Sequence, residues 1–235
     1  MENSNNHYCL SITPSSLELL SIIGFITLIL IRVLYIIHRS SQPRSASSQQ
    51  KPLSTLIVLG SGGHTAEMIN LLNVLQKNSF TPRYYIAAAT DNMSLQKAQV
   101  LENSWLNEGG VEEVGSAKFM QIYRSREVGQ SYITSVGTTL IALAHALWLM
   151  IKIRPHVILC NGPGTCIPLC AIAFIFKILG IRWSYIFYVE SIARVRRLSL
   201  SALLLYKLRM ADQLFVQWPQ LKSKYHRAHY VGRLM

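Results

Sequence analysis

The sequence predicts an α/β domain built on one parallel sheet and carried behind a single membrane-spanning helix. Short apolar runs alternate with helical patterns from Leu53 to Met235. Two of the runs end in glycine-containing turns that open the following helix. A continuous apolar stretch, Leu17 to Ile37, stands ahead of them.

The N-terminal stretch reads LELLSIIGFITLILIRVLYII. A helix needs about 20 mostly apolar residues to cross the hydrocarbon core, and this run has that length. Glu18 and Arg32 fall near its ends, where Arg32 reaches the interface by extending its stem. A cleaved leader is disfavoured: no positive charge precedes the run and no small-x-small site follows it. Arg39, Arg44 and Lys51 come after the run, whereas residues 1–16 contain Glu2 and no Lys or Arg. The positive-inside rule then places residues 1–16 across the membrane as a lumenal leader, with 17–37 as anchor and the remainder cytosolic. Residues 38–52, polar and rich in Ser and Gln, read as a flexible linker. Fully extended, its polar part spans roughly 40 Å.

Residues 53–235 form the domain. Thr55 to Leu59 is a buried strand, and Thr65 to Gln76 is a helix whose apolar side holds Ala66, Ile69, Leu72 and Leu75. Arg83 to Ala89 is a strand, Ser94 to Leu101 a helix, and Lys118 to Tyr123 a third strand. A long helix from Tyr132 to Ile151 leads to a strand at Val157 to Cys160 and a helix at Cys166 to Leu179. Trp183 to Val189 is a strand, Leu198 to Met210 a helix, and Leu214 to Val216 a last strand. The two most apolar helices, near residues 138–153 and 167–181, contain Lys152 and Lys177 and are short for a crossing, so they read as sheet-covering helices. The alternative, that one of them lies against the bilayer and receives a lipid substrate, stays open.

Half of the 235 residues are hydrophobic, 14% are charged, and the formal net charge is +12. That balance implies an anionic partner: nucleic acid, anionic lipid or a phosphorylated substrate. No zinc-finger spacing, basic heptad region or RNA-binding aromatic motif supports nucleic acid. Cys9, Cys160, Cys166 and Cys170 form no C-x-x-C pair and have no histidine or carboxylate at ligand spacing, so no metal is expected and the thiols read as small buried hydrophobes. No cofactor is expected either.

The candidate site lies beyond the carboxyl ends of the strands, where ligands of parallel sheets bind. The first turn is Gly60-Ser61-Gly62-Gly63-His64-Thr65. Its glycines admit a ligand close to the backbone, and the helix start presents amide donors suited to phosphate. Thr65 stands where a dinucleotide fingerprint requires a third glycine, and no lysine completes a Walker loop. His64 is either a base near neutral pH or a packing residue of the first turn. Asn161-Gly162-Pro163-Gly164 forms a second such turn on the same sheet edge. Glu190, at the end of Tyr188-Val189-Glu190-Ser191, is expected to project into the cleft and bind sugar hydroxyls or assist proton transfer; the alternative is a solvated loop glutamate. Arg194, Arg196 and Arg197 follow and suit a diphosphate or anionic lipid heads.

In order, the anchor, LIVLGSGGHTAEM, ATDNMS, ILCNGPGTC, YVES, ADQLFVQWP and YVGRL closely resemble the membrane-anchor subunit family of the bipartite UDP-N-acetylglucosamine transferase of asparagine-linked glycosylation, over nearly the whole chain. They are also similar to the N-terminal half of the bacterial transferase that glycosylates lipid-linked muramyl peptide. The resemblance implies a Rossmann-like half of a GT-B glycosyltransferase, single-pass in the endoplasmic reticulum membrane and facing the cytosol. It implies a soluble donor-binding catalytic subunit as partner, with UDP-GlcNAc in the shared cleft. The acceptor would be dolichyl-diphosphate-GlcNAc, which receives its second GlcNAc with inversion. It implies that Tyr230, Gly232, Arg233 and Leu234 meet the partner. The rival reading is a non-catalytic membrane scaffold for a self-sufficient soluble enzyme.

Overall fold

A computed structural model describes residues 14–40, 52–109, 117–124, 131–162 and 164–233. The leader expected at 1–16 lies almost wholly outside these residues, as do linker residues 41–51 and Leu234.

The chain runs α1 (Pro14–Ser40), β1 (Thr55–Val58), α2 (Gly63–Val74), β2 (Arg83–Ala88), α3 (Asn92–Gly109), β3 (Lys118–Ile122), α4 (Tyr132–Ile153), β4 (Val157–Asn161), α5 (Cys166–Leu179), β5 (Tyr185–Val189), α6 (Leu200–Lys207), β6 (Gln213–Val216), α7 (Pro219–Lys224) and β7 (His229–Tyr230). The seven strands form one sheet in the order β3-β2-β1-β4-β5-β6-β7, and every pairing is parallel. From β1 the chain steps outward to β2 and β3, then returns to lay β4 on the other side of β1. The crevice between the β1 and β4 ends is therefore the topological switch point.

Strand alternation divides the core in two. Ile57 and Leu59 of β1 point with Tyr85 and Ala87 toward α2 and α3, which contribute Met68, Leu71, Leu72, Ala98 and Leu101. Leu56, Val58, Ile86 and Ile158 face the opposite way, against α4, α5 and α6. On the α2 side no described helix covers the β5–β6 half of the sheet, and Phe187 and Phe215 stay only partly buried there.

Several expectations shift. Helix α2 begins two residues earlier than expected, which puts His64 in its first turn. Its buried side is Thr65, Glu67, Met68, Leu71 and Leu72, while Ala66 is exposed, because two polar residues on it are paired internally. The short α7 and β7 went unseen. Helix α4 carries Ala142, Ala146, Leu149 and Met150 inward as expected, but exposes Val136, Leu140, Leu147, Trp148 and Ile151 along its other side. At 20 residues, Thr134–Ile153 is long and apolar enough to cross a membrane by length and composition, as is Leu17–Ser40.

Helix α1, expected to be an anchor on a flexible tether, packs in part on the domain. Residues 38–40, assigned to the linker, complete α1. Large side chains from Leu17 to Ile31 are exposed, whereas Ile36 is buried against the domain. The Nε and Nη2 of Arg32 donate to Ile178 O (3.3 Å) and Lys177 O (3.4 Å), carbonyls at the end of α5. Ser40 Oγ donates to Asp212 Oδ1 (2.5 Å), and Asp212 Oδ2 accepts from Lys177 Nζ (2.5 Å) and Ile186 N (2.6 Å).

Candidate active site

The two glycine turns meet at the switch point. Gly62, with φ +62°, stands at the N-cap of α2 and has no side chain to cap that helix. Ser61, Gly62 and Gly63 are exposed, so the amides that open α2 face outward. Gly60 is buried instead: its carbonyl accepts from Thr65 Oγ1 and from Ser94 Oγ (3.0 Å). Thr65, expected to bind phosphate, is fully buried by that latch, and its hydroxyl also pairs with Ser94 Oγ at 2.6 Å. Asp91 caps α3 through Ser94 N (3.1 Å).

The second turn packs directly on the first. Gly162 has φ +86°, and a Cβ added there would fall on the imidazole ring of His64. Tyr188 OH donates to Gly162 O (3.0 Å) and holds the turn from below; burial raises the phenol's pKa, which keeps it a donor. Gly164 is exposed beyond it.

A directional hydrogen-bond chain runs through this contact. Ser191 Oγ donates to Glu67 Oε1 (2.6 Å), and Asn161 Nδ2 donates to Glu67 Oε2 (2.9 Å). An ionised carboxylate only accepts, so the Asn161 amino group must face Glu67 and its Oδ1 must face His64. That oxygen lies 3.1 Å from His64 Nδ1, so Nδ1 carries a proton toward Asn161, and in the neutral ring Nε2 would be the nitrogen with the lone pair. The side chain of His64 is 35% exposed and Glu67 is 7% exposed, with Nδ1 and Oε2 4.0 Å apart. The site therefore presents an imidazole whose Nδ1–H is committed to Asn161, beside a helix start. Asn161, expected to touch ligand, instead serves His64 from a buried position. Glu67 and Ser191 were not anticipated as site residues. The available signal was spacing: Glu67 stands three residues after His64, on the same helix face.

Glu190 does not project into the cleft. It is 0% exposed, and its carboxylate accepts from Ser191 N (3.0 Å) and Ser199 N (2.7 Å). Burial raises its pKa above the usual carboxylate range, while the Ser199 and Ser191 amides and Arg194 pull it down in part. Ser199 in turn caps α6 by accepting from Ala202 N. Glu190 thus closes the loop 190–199, and Trp218 Nε1 pins that loop through Ile192 O (2.7 Å). Arg194, Arg196 and Arg197 are displayed on its exposed rim. At the tail, Tyr230 and Arg233 are exposed, Gly232 has φ +77°, and the Arg233 guanidinium lies 4.5 Å from the Trp218 ring centre.

Residues 55–234 match the family described as oligosaccharide biosynthesis protein Alg14 like. The chain is 44% identical over 186 residues to the UDP-N-acetylglucosamine transferase subunit ALG14 of Rattus norvegicus, covering 79% of this chain and 85% of that protein. It is 40% identical over 216 residues to the protein of that name in Homo sapiens, covering 90% and 95%. The corresponding Schizosaccharomyces pombe protein is 43% identical over 192 residues, covering 79% and 86%. The crystal structure of Acinetobacter baumannii MurG overlaps with a TM-score of 0.46 at 16% identity, covering 72% of this chain and 43% of that one, so the chain spans less than half its length.

Proposed function

The chain belongs to the Alg14-like family of oligosaccharide biosynthesis proteins, and from that premise we propose that it is the acceptor-side subunit of a UDP-N-acetylglucosamine transferase. It acts as one half of a GT-B enzyme at the cytosolic face of the endoplasmic reticulum, held there by α1. It adds the second GlcNAc to dolichyl-diphosphate-GlcNAc. The observation that carries this reading is the tautomer-fixed His64 beside the open start of α2.

In the reaction, the acceptor diphosphate lies against the α2 amides around Gly62 and Gly63 and the Arg194, Arg196 and Arg197 rim. The acceptor hydroxyl attacks the anomeric carbon of UDP-GlcNAc and gives its proton to His64 Nε2. The bond to UDP breaks on the opposite side, which inverts the centre. The imidazolium that forms is stabilised through Asn161 by the Glu67 carboxylate. Glu190 is a positioning residue that shapes the arginine loop. The donor site and the charge of departing UDP belong to a soluble partner subunit. That partner meets the tail at Tyr230, Gly232 and Arg233 and the uncovered strand face, where Val189, Phe187, Phe215 and Val231 line an apolar hollow of about 320 Å³. The exposed stripe of α4 supplies a second apolar surface for the bilayer and the lipid tail.

The test is transfer of labelled GlcNAc to a short-chain dolichyl acceptor by this chain, by its soluble partner, and by both together. Activity only with both is expected. A His64→Ala chain that still binds the partner is expected to lose about 10²–10⁴-fold in turnover. Full transfer by the soluble partner alone would leave the chain a scaffold, and unimpaired His64→Ala turnover would remove the imidazole from the reaction.

A further inference from the structure

Three of the four cysteines, which the sequence scatters over eleven residues of β4 and α5, converge behind the second turn. Cys160 is the penultimate residue of β4, Cys166 opens α5, and Cys170 follows one helical turn later. Their Sγ atoms all lie within 4.8 Å of one another, and Cys160 Sγ and Cys170 Sγ are 3.7 Å apart. All three residues are 0% exposed and unoxidised. Three sulfurs bound about 2.3 Å from one ion stand about 3.8–4.0 Å from each other, which is the spacing that tetrahedral and trigonal thiolate coordination require. The Cys160–Cys170 pair stands near that spacing, and Cys166 Sγ lies within 4.8 Å of both.

We propose that Cys160, Cys166 and Cys170 form a three-thiolate site for a divalent ion of the zinc class, which clips the end of β4 to the start of α5. On binding, three S–H bonds ionise, three metal–sulfur bonds form, and three protons leave to solvent; nothing is oxidised or reduced. The charge count selects a divalent ion. Three thiolates around it leave one net negative charge, whereas a monovalent copper ion would leave two inside an apolar core. The positive end of α5, whose first residue is Cys166, offsets part of that single charge. The clip would fix the spacing between Asn161-Gly162 and α5, and so the surface on which His64 rests. Because the sulfurs are covered, the ion enters during folding or when the first turn of α5 opens.

The test uses the full-length chain in detergent with Cys9→Ser, which leaves only these three thiols, refolded or expressed with Cd²⁺ as the probe. The expected result is one Cd²⁺ per chain with a thiolate-to-cadmium charge-transfer band. Zn²⁺ should displace it, and the bound ion should raise the melting temperature by mass action. Cys166→Ser, a conservative change at a helix start, is expected to weaken binding at least about tenfold while the circular dichroism spectrum stays native. Cys170→Ala is expected to do the same. A folded chain that takes up no Cd²⁺ overturns the proposal. So does a band that survives in Cys166→Ser, or a Cys160–Cys170 disulfide found by alkylation and mass spectrometry of the purified chain.

Discussion

Replacing Gly162 by alanine should disable the site while leaving every ionisable residue of the sequence in place. Two costs follow from the geometry. At φ +86° a residue with a Cβ is strained by about 1–2 kcal/mol. The new methyl also occupies the space of the His64 ring, and overpacking of that kind costs about 1–3 kcal/mol when nothing yields. His64 can yield, because one side of it is open to solvent. Swinging outward forfeits its hydrogen bond to Asn161, worth about 1 kcal/mol. The cheaper route therefore totals about 2–3 kcal/mol, or a fall of roughly 4–12 °C in melting temperature for a domain of this size. Turnover should suffer more than stability, since a base displaced by about an ångström loses on the order of 10²-fold. The assay is labelled GlcNAc transfer with partner and acceptor saturating, run beside thermal unfolding and a partner-binding titration. Gly137→Ala, on α4 with nothing within 4 Å of the added carbon, is the control and should transfer normally. A folded Gly162→Ala chain with turnover within about twofold of the parent would refute the claim that this contact sets the imidazole.

Three further outcomes follow. Asn161→Asp places a carboxylate beside His64 Nδ1, which favours the imidazolium, so the acid limb of the pH–rate profile should move up by roughly one unit. Burial raises the pKa of Glu190, so the native state binds its proton more tightly than the unfolded chain; the stability this group contributes is full below the usual value of 4.5 and is lost as pH rises through the folded value. Melting temperature against pH should therefore decline over that window in the parent and lose that component in Glu190→Gln, which also costs about 1–3 kcal/mol by turning an amino group toward the Ser191 or Ser199 amide. Lys177→Met leaves the Asp212 carboxylate without its cation and should destabilise the domain by about 3 kcal/mol, measured by denaturant unfolding.

The sequence disclosed elements where one physical signal dominated. β1, β4 and α5 sit where apolar runs and flanking glycines put them, because a strand buried on both faces has no competing pattern. The face of α2 was misread for the opposite reason. Periodicity assigns polar residues to solvent, and here Thr65 and Glu67 are buried because Gly60, Ser94, Asn161 and Ser191 satisfy them from other elements. Glu190 failed similarly: a carboxylate at a strand end reads as a ligand group until an amide nine residues later closes on it. α7, β7 and the turn between them bury little beyond Leu221 and Ala228, too few apolar positions to make a period. His64 and the two glycine turns were legible; the direction of the proton chain behind them was not, because it depends on which way one asparagine faces.

The fastening of α1 to the domain through Ile36 and the Ser40–Asp212–Lys177 contacts changes what an anchor of this kind does. A loose cord would let the catalytic body wander over a hemisphere above the lipid surface. With α1 as the proposed membrane anchor, a rod joined to the body would pass its own tilt upward and settle the height and bearing of the cleft at the membrane. The search left to the proposed lipid acceptor would then be lateral, within the plane where its own tail already confines it.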